Sequence, residues 1–159
     1  MKAAVIYYSL DGNCAVIAEQ AASRLKADIF RVRLADTKKR KGFAKMFWGG
    51  RMVVMHKKPE IQSLSINIAA YDLIIIGTPV WAASPAPPLM SFLEKTRISG
   101  KKIALFCCHA GGRGGALDKL KANLPEGNTF ISEIDFINPS KADRKEITEK
   151  VNNWIKTLN

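Results

Sequence analysis

The sequence predicts an α/β fold, a doubly wound sandwich of three layers in which a five-stranded parallel sheet lies between two layers of helices. Short β-branched or aromatic-rich runs alternate with segments of helical period, which is typical of βαβ units. Two runs, residues 73–76 and 103–106, are continuously apolar, as strands covered on both faces require. We expect the strand order 2-1-3-4-5. The five runs are residues 3–8, 28–34, 73–76, 102–107 and 129–136.

The helices follow from apolar spacing and from turn residues. Ile17, Ala21 and Leu25 recur every four residues, which predicts a first helix that Asn13 can cap. Pro87 and Pro88 suit the first turn of a second helix, and Gly100 ends that connection. We expect a third helix over residues 115–124.

The last helix is predicted to begin near Ser140, with Asp143 three residues later as a weak capping box. Its apolar positions have helical spacing and should close the core on one side of the sheet. Trp154 belongs to this stripe and is therefore expected in the core. The apolar positions are Ile147, Val151, Trp154, Ile155 and Leu158.

The positive charge is concentrated in one segment. The chain has a formal net charge of +11, but residues 37–58 hold eight Lys or Arg and no acidic residue, which leaves 17 basic and 14 acidic residues elsewhere. Nearly forty residues separate the second strand from the third, so we predict a basic insert at about 37–60 with a short amphipathic helix over residues 43–50. Such a patch attracts acidic proteins, nucleic acid or an anionic membrane surface.

Nucleic acid is not the expected partner of this insert. Lys41-Gly42-Phe43-Ala44 resembles the start of an RNA-recognition strand. However, Lys45 stands where an aromatic residue should stack on a base, and the strand order around it is wrong for that fold. For Phe47 and Trp48 the sequence is equally compatible with contact to a partner and with local packing.

Length and cysteine content favour one cytoplasmic domain over residues 1–159. A chain of 159 residues buries enough surface to fold without disulfides or a structural metal. Cys14, Cys107 and Cys108 form no Cys-x-x-Cys pair, which indicates a reducing compartment. No apolar run approaches the ~18 residues of a membrane span, so no membrane insertion is expected. Cys108 and His109 lack further ligands at fitting spacing, and no metal site is predicted.

Three segments follow apolar strands directly, and we call them loop one (residues 9–14), loop two (residues 77–82) and loop three (residues 108–115). Open parallel sheets bind ligands at the carboxyl ends of their strands. The free N–H groups at the start of the helix after loop one can bind a phosphate. A β-hairpin at Asp11-Gly12 is the alternative there, but the residues that follow have helical rather than alternating period. Motifs for dinucleotides and nucleoside triphosphates are absent from the sequence.

Taken together, Ser9-x-Asp11-Gly12-Asn13-Cys14, Gly77-Thr78-Pro79-Val80-Trp81-Ala82 and the glycine-rich loop three resemble the flavodoxin family. The resemblance covers all but the insert, and it implies FMN as the cofactor. Loop one would hold the phosphate, loop two would place Trp81 against the flavin ring, and loop three would wrap its pyrimidine edge. The residues so implied are Ser9, Leu10, Asp11, Gly12, Asn13, Cys14, Thr78, Pro79, Val80, Trp81, Ala82, Cys108, His109, Ala110, Gly111, Gly112 and Arg113.

The resemblance implies FMN-dependent electron transfer, with an electron carrier favoured over an enzyme. It also implies an acidic redox protein as the partner of the basic insert at about 37–60. Two departures from the family's pattern leave alternatives open: Asp11 and Cys14 replace hydroxyl donors in loop one, and Ala82-Ala83 stands where glycine usually permits a peptide flip. The alanines favour an NAD(P)H-dependent quinone or FMN reductase, and an NAD(P)H reductase could also serve a carrier as its partner. A flavin-free binding module that uses the basic insert is a third hypothesis.

Overall fold

The computed structural model of the chain describes residues 1–35, 51–52 and 58–158. Six strands and four α-helices have both ends in this part of the chain, together with a short 3-10 helix at Ile68–Ala70, and residues 51–52 are also helical. The strands are β1 (Ala3–Tyr8), β2 (Asp28–Val32), β3 (Leu73–Trp81), β4 (Ser84–Pro85), β5 (Lys102–His109) and β6 (Thr129–Ile137). The helices are α1 (Asn13–Leu25), α2 (Pro87–Lys95), α3 (Ala116–Ala122) and α4 (Arg144–Lys156).

The five long strands form one parallel sheet in the order β2-β1-β3-β5-β6. The predicted α/β sandwich with five parallel strands and this order is therefore confirmed. The additional strand β4 is only two residues long and pairs antiparallel with the end of β3, where Val80 faces Pro85 and Trp81 faces Ser84. The sequence prediction missed β4, so it did not foresee that loop two ends in a hairpin.

Each face of the sheet is covered by two helices, as the continuously apolar strands predicted. On one face, alternate strand residues such as Ile75 and Phe106 pack with α1 and α4. On the other face, their neighbours such as Ile76 and Leu105 pack with α2 and α3. Burying one such side chain contributes roughly 1.5–3 kcal/mol, so the two clusters together hold the sheet between its helix layers.

Two predicted helix caps are wrong. Helix α4 begins at Arg144, and its N-cap is Asp143, whose carboxylate accepts hydrogen bonds from the N–H groups of Lys145 and Glu146. The helix does not begin near Ser140 as predicted, because Asp143, and not Ser140, accepts the hydrogen bonds of its free N–H groups. Asn13 likewise does not cap α1; it is the first helical residue, after an N-cap at Gly12.

The basic insert predicted at 37–60, with its helix at 43–50, lies largely outside the described residues. The chain returns from it beside the end of β2. The Ala35 N–H donates to the Glu60 carbonyl at 3.0 Å, and the Gln62 N–H donates to the Arg33 carbonyl at 2.9 Å. Residues 60–62 therefore lie along this edge of the sheet.

Candidate functional site

Loop one turns sharply from β1 into α1. Gly12 has a φ of 86°, a left-handed conformation that glycine adopts without strain. An added Cβ would meet nothing within 4 Å, so the backbone conformation, not lack of space, favours glycine here. The turn exposes the first N–H groups of a 13-residue helix, which have no acceptor within the helix.

Two distant side chains hold loop one in place. The Arg31 guanidinium on β2 donates to the carbonyl of Ser9 at 2.9 Å. The Asn13 carbonyl oxygen accepts from the backbone N–H of Ser140 at 3.0 Å and from its hydroxyl at 2.8 Å. The loop is thus fixed from β2 on one side and from the segment after β6 on the other.

Ser9 carries an unsatisfied polar group within this loop. Its side chain is buried, and its Oγ has no hydrogen-bond partner in the structure. Leaving a buried hydroxyl unpaired costs about 1–3 kcal/mol, which a ligand oxygen beside it would offset. The hydroxyl therefore marks this loop as a place where an anionic ligand would gain a contact that the protein alone does not supply.

Loop two belongs mostly to the extended end of β3. Thr78 is fully buried, and its Oγ1 accepts a hydrogen bond from the Ala86 N–H at 2.9 Å. This hydroxyl therefore closes the hairpin from inside. Pro79 lies opposite Cys108 of β5 in the sheet. Gly77 is required by close packing, since an added Cβ would lie 2.0 Å from the ring of Phe106.

The hairpin turn itself is strained. Ala82 and Ala83 have φ values of 46° and 56°, so two consecutive alanines occupy the left-handed region. Paired values of this kind belong to the I′ turn, which Asn-Gly usually forms. The ammonium of Lys119 in α3 donates to the Ala83 carbonyl at 3.2 Å and to the Ser84 hydroxyl at 2.7 Å. These bonds hold the turn in its unusual conformation.

Aromatic and glycine contacts bring the three loops together. The ring of Trp81, half-buried at the end of β3, meets Tyr8 edge to face at a centroid distance of 5.7 Å, next to loop one. Gly114 of loop three has a φ of 50°, and a Cβ there would lie 2.5 Å from the Cβ of Ala83. The turn that follows loop two therefore contacts loop three, and loop two approaches loop one through the two aromatic rings.

Loop three is mostly exposed, but its charged side chains are paired. Arg113 donates to Glu133 of β6 at 3.0 Å, and Lys121 of α3 forms an ion pair with the same carboxylate. Hydrogen bonding from Lys121, and then from Arg113, lowers the pKa of Glu133 below its usual value. The positive charge of Arg113 at this edge is therefore balanced by a neighbouring carboxylate.

His109 forms a second polar pair at the end of β5. Its Nε2 lies 3.0 Å from Oδ2 of Asp135 on β6. The imidazole is only 7% exposed, and its other ring nitrogen, Nδ1, is buried without a hydrogen-bond partner. This is the second unsatisfied polar group at the carboxyl edge of the sheet.

The three cysteines are free and buried. Burial, and then contact with Cys108, raises the pKa of the Cys14 thiol well above its usual value. Burial, and then the negative charge of Asp135, raises the pKa of Cys107 to about 12. Both thiols stay protonated at neutral pH, and the Cys14 side chain is fully buried.

The predicted residues thus occupy one edge of the sheet, the one at which β1, β3 and β5 end. Asp11, Ala82, Ala110, Gly111, Gly112 and Arg113 are exposed there, while Leu10, Val80 and Trp81 are half-buried. Among the described residues, no group of three or more His, Cys, Asp or Glu could hold a metal ion. Within the same residues, no helix is long and apolar enough to cross a membrane.

The sequence analysis missed the roles of four residues that position this edge. Arg31 lies within a strand, and Lys119 within an amphipathic helix, where a basic residue carries no signal of its own. Ser140 and Asp135 act on residues far away in the sequence, 127 and 26 positions from their partners. Short motifs could not have identified any of the four.

Comparison with protein-family models matches residues 1–153 to the family described as NADPH-dependent FMN reductase. No curated protein matches the sequence. A flavoprotein from Lactobacillus acidophilus NCFM, solved in complex with FMN, is similar with 24% identity, coverage of 96% of this chain and 97% of that chain, and a TM-score of 0.74. The apo form of the flavoprotein from the same organism, solved by NMR, has 26% identity, coverage of 88% and 95%, and a TM-score of 0.67.

The fold is also shared with flavodoxins. Oxidised flavodoxin 1 from Bacillus cereus is similar with 19% identity, coverage of 99% of this chain and 97% of that chain, and a TM-score of 0.60. At this identity the likeness shows the fold alone. It agrees with the resemblance of loops one, two and three to the flavodoxin family.

Proposed function

Because the chain belongs to the family of NADPH-dependent FMN reductases, we propose that it binds FMN and acts as an oxidoreductase. In this proposal it takes electrons from NAD(P)H and passes them to a small acceptor, such as a quinone or free FMN. The observation that carries the proposal is loop one, where a helix N-terminus and an unsatisfied buried hydroxyl meet.

The residues of loop one fit a phosphate. The N–H groups at the start of α1 supply donors, and the helix dipole favours negative charge at this end. Ser9 supplies a hydroxyl that has no other partner. The guanidinium of Arg31, bound to the Ser9 carbonyl, adds a fixed positive charge nearby. Because the Ser9 hydroxyl is closed off from solvent, binding must include a small shift of the loop toward the phosphate.

The flavin ring would lie between loops two and three. Trp81 offers a flat aromatic surface beside the turn, and stacked aromatic groups gain about 0.5–1.5 kcal/mol beyond the area they bury. Lys119 and Gly114 fix the turn that follows Trp81, so the ring would be received by a preformed surface. Bound FMN would supply the chemistry of hydride transfer, and the protein's own groups would bind it, orient it and exclude water.

An FMN-dependent electron carrier is the second candidate. The eight basic residues of the segment 37–58 favour it, because positive charge of this density would attract an acidic redox protein. Association with that partner should slow as salt screens exposed charges over ~8–10 Å. Neutralising Lys38, Lys39, Arg40 and Lys41 together should slow electron transfer without changing the affinity for FMN.

The test of the FMN site is a visible spectrum of the purified protein, followed by titration of the apoprotein with FMN and with riboflavin. Ser9→Ala should weaken FMN binding by roughly tenfold to a hundredfold, since a hydrogen bond to a charged group contributes about 1.5–3 kcal/mol. Riboflavin, which lacks the phosphate, should bind weakly to both proteins.

Ser91→Ala is the matched control. Ser91 is also a buried serine whose hydroxyl has no partner, but it lies in α2. This variant should bind FMN as the unchanged protein does. Equal affinity for FMN and riboflavin would reject the phosphate role of loop one, and a chain that binds neither would support the flavin-free binding module.

Steady-state kinetics separates the two flavin-dependent candidates. A reductase should oxidise NADPH or NADH at a rate that saturates with a quinone or with free FMN as acceptor. A carrier should be reduced by NAD(P)H only when a reductase partner is added. Turnover without such a partner would support the reductase over the carrier.

A further inference from the structure

A groove of about 460 Å³ is formed where β4, α2 and α3 come together. Its walls include Pro85 of β4, Met90 of α2 and Asn123, which follows α3. Of the described residues that line it, none belongs to loops one, two or three. Sites for small organic molecules typically have volumes of roughly 300–1,000 Å³. The groove is therefore large enough to hold a small molecule of its own, outside the FMN site described above.

The middle of the groove is apolar. Met52 and Leu93 are buried there, and Met90 is half-buried. Pro85 is also buried and lies opposite Val80 of β3, which fixes this wall to the sheet. Methionine side chains adapt their shape to a ligand, and their sulfur atoms contact aromatic rings favourably. This part of the lining therefore fits a flat aromatic body.

The charges of the lining leave one positive charge unbalanced. Three of the described lining residues are charged, namely Lys58, Glu94 and Lys119. The ammonium of Lys58 donates to the Glu94 carboxylate at 2.6 Å, so these two charges neutralise each other. Lys119 instead donates to two uncharged acceptors, the Ala83 carbonyl and the Ser84 hydroxyl, which do not balance its charge. A single anionic group on a ligand would complement the groove.

Lys119 and Asn123 together form the polar end of the groove. They are four positions apart, and the side-chain amide of Asn123 donates to the Lys119 carbonyl at 2.8 Å. An ammonium group carries three hydrogens and an amide nitrogen carries two. The bonds described above use two hydrogens of Lys119 and one of Asn123. Each group therefore has one further hydrogen to donate to an anion.

We propose that this groove is a second small-molecule site, which binds an aromatic compound with one anionic group. The ring lies against Met52, Met90 and Leu93, and the anion accepts hydrogen bonds from Lys119 and Asn123. This inference goes beyond the proposed function, because it concerns residues outside loops one, two and three. The site nevertheless borders the FMN site, since Lys119 also holds the turn that follows Trp81.

Two matched probes test the site, naphthalene-2-carboxylate and the uncharged naphthalene-2-carboxamide. Each is titrated into the full chain with FMN at saturating concentration, so that neither probe enters the FMN site. Methionine labelled with ¹³C in the ε-methyl group reports where the probe binds, and substitution of each of the five methionines by Leu assigns the signals. We expect the carboxylate to shift the signals of Met52 and Met90 in a saturable manner. The signal of the exposed Met1 should not move.

The charge of the probe and the charge of Lys119 should act together. The carboxamide should bind roughly threefold to tenfold more weakly than the carboxylate, because an exposed charge contact contributes up to about that factor. Lys119→Gln should remove this preference. Lys95→Gln is the matched control, since it removes an exposed lysine from α2 that does not line the groove. This variant should keep the preference for the carboxylate.

The unchanged protein alone decides the question if Lys119→Gln folds poorly. Equal affinity for the two probes would overturn the anionic part of the proposal. The absence of saturable shifts at Met52 and Met90, or shifts of Met1 as large as theirs, would overturn the site itself. A chain that binds the carboxylate at Met52 and Met90 but does not bind FMN would support this inference and overturn the proposed function alone.

Discussion

Replacing the strained alanines of the β3–β4 turn by glycine should stabilise the protein. At φ values of 46° and 56°, Ala82 and Ala83 each carry the left-handed penalty of an L-residue, about 1–2 kcal/mol. Glycine removes that penalty but adds unfolded-state entropy worth about 0.4–1 kcal/mol. The net expectation for Ala82→Gly or Ala83→Gly is a gain of about 0.5–1 kcal/mol in the free energy of unfolding.

Ala142 provides the matched control for this experiment. It is also an exposed alanine outside the helices and strands, but its φ is not positive. Ala142→Gly has only the entropic effect and should destabilise the protein by about 0.4–1 kcal/mol. Urea unfolding at pH 7, followed by circular dichroism, measures all three variants against the unchanged protein.

The sign of the change in the free energy of unfolding tests whether the two alanines are strained. If Ala82→Gly and Ala83→Gly both destabilise the protein as much as Ala142→Gly does, the two alanines are not held in the left-handed region. Gly114→Ala gives a test from the other side of the contact, because its new Cβ would lie 2.5 Å from that of Ala83. We expect this variant to lose stability.

Three further changes test other contacts. Asp143→Ala should lower the free energy of unfolding by about 0.5–2 kcal/mol, because two N–H groups of α4 lose their acceptor; an unchanged urea midpoint would contradict this. Glu133→Gln should destabilise the protein at pH 7, and the difference should shrink as pH is lowered below the usual pKa of a glutamate, because a carboxyl group with a lowered pKa loses its stabilising contribution as pH falls through the folded value; a difference independent of pH would argue against the ion pair with Lys121. Trp81→Ala should weaken FMN binding and relieve quenching of flavin fluorescence; unchanged quenching would place the indole away from the cofactor.

The sequence was most informative where local pattern and burial agree. Residues 73–76 and 103–106 are continuously apolar, so their place at the centre of a two-faced sheet followed directly. Ile17 and Val151 marked the buried faces of α1 and α4 through helical spacing alone. The strands that precede loops one, two and three predicted the candidate site at the edge of the sheet where they end.

The sequence prediction failed where a residue's role depends on an unusual backbone conformation or on a contact with a residue far away in the sequence. Ala82-Ala83 carries none of the usual signals of an I′ turn, because its conformation depends on support from Lys119. The role of Asn13 could not be read from its position before a helix, since Ser140 engages its side chain instead. In the sequence, Asp135 is one polar residue of an alternating strand. Its contact with His109 follows only from the pairing of β6 with β5.

The hydrogen bonds between Asn13 and Ser140 have a consequence for synthesis of the chain. They join residues 127 positions apart, so this anchor of loop one, the second beside the bond from Arg31, cannot form before Ser140 has been synthesised. At a synthesis rate of about 5–20 residues per second, that point comes roughly 6–25 s after Asn13 is made. A nascent chain that ends before Ser140 would present the start of α1 without this anchor. Cofactor capture is therefore expected late in biosynthesis, after the chain has already formed most of its sheet.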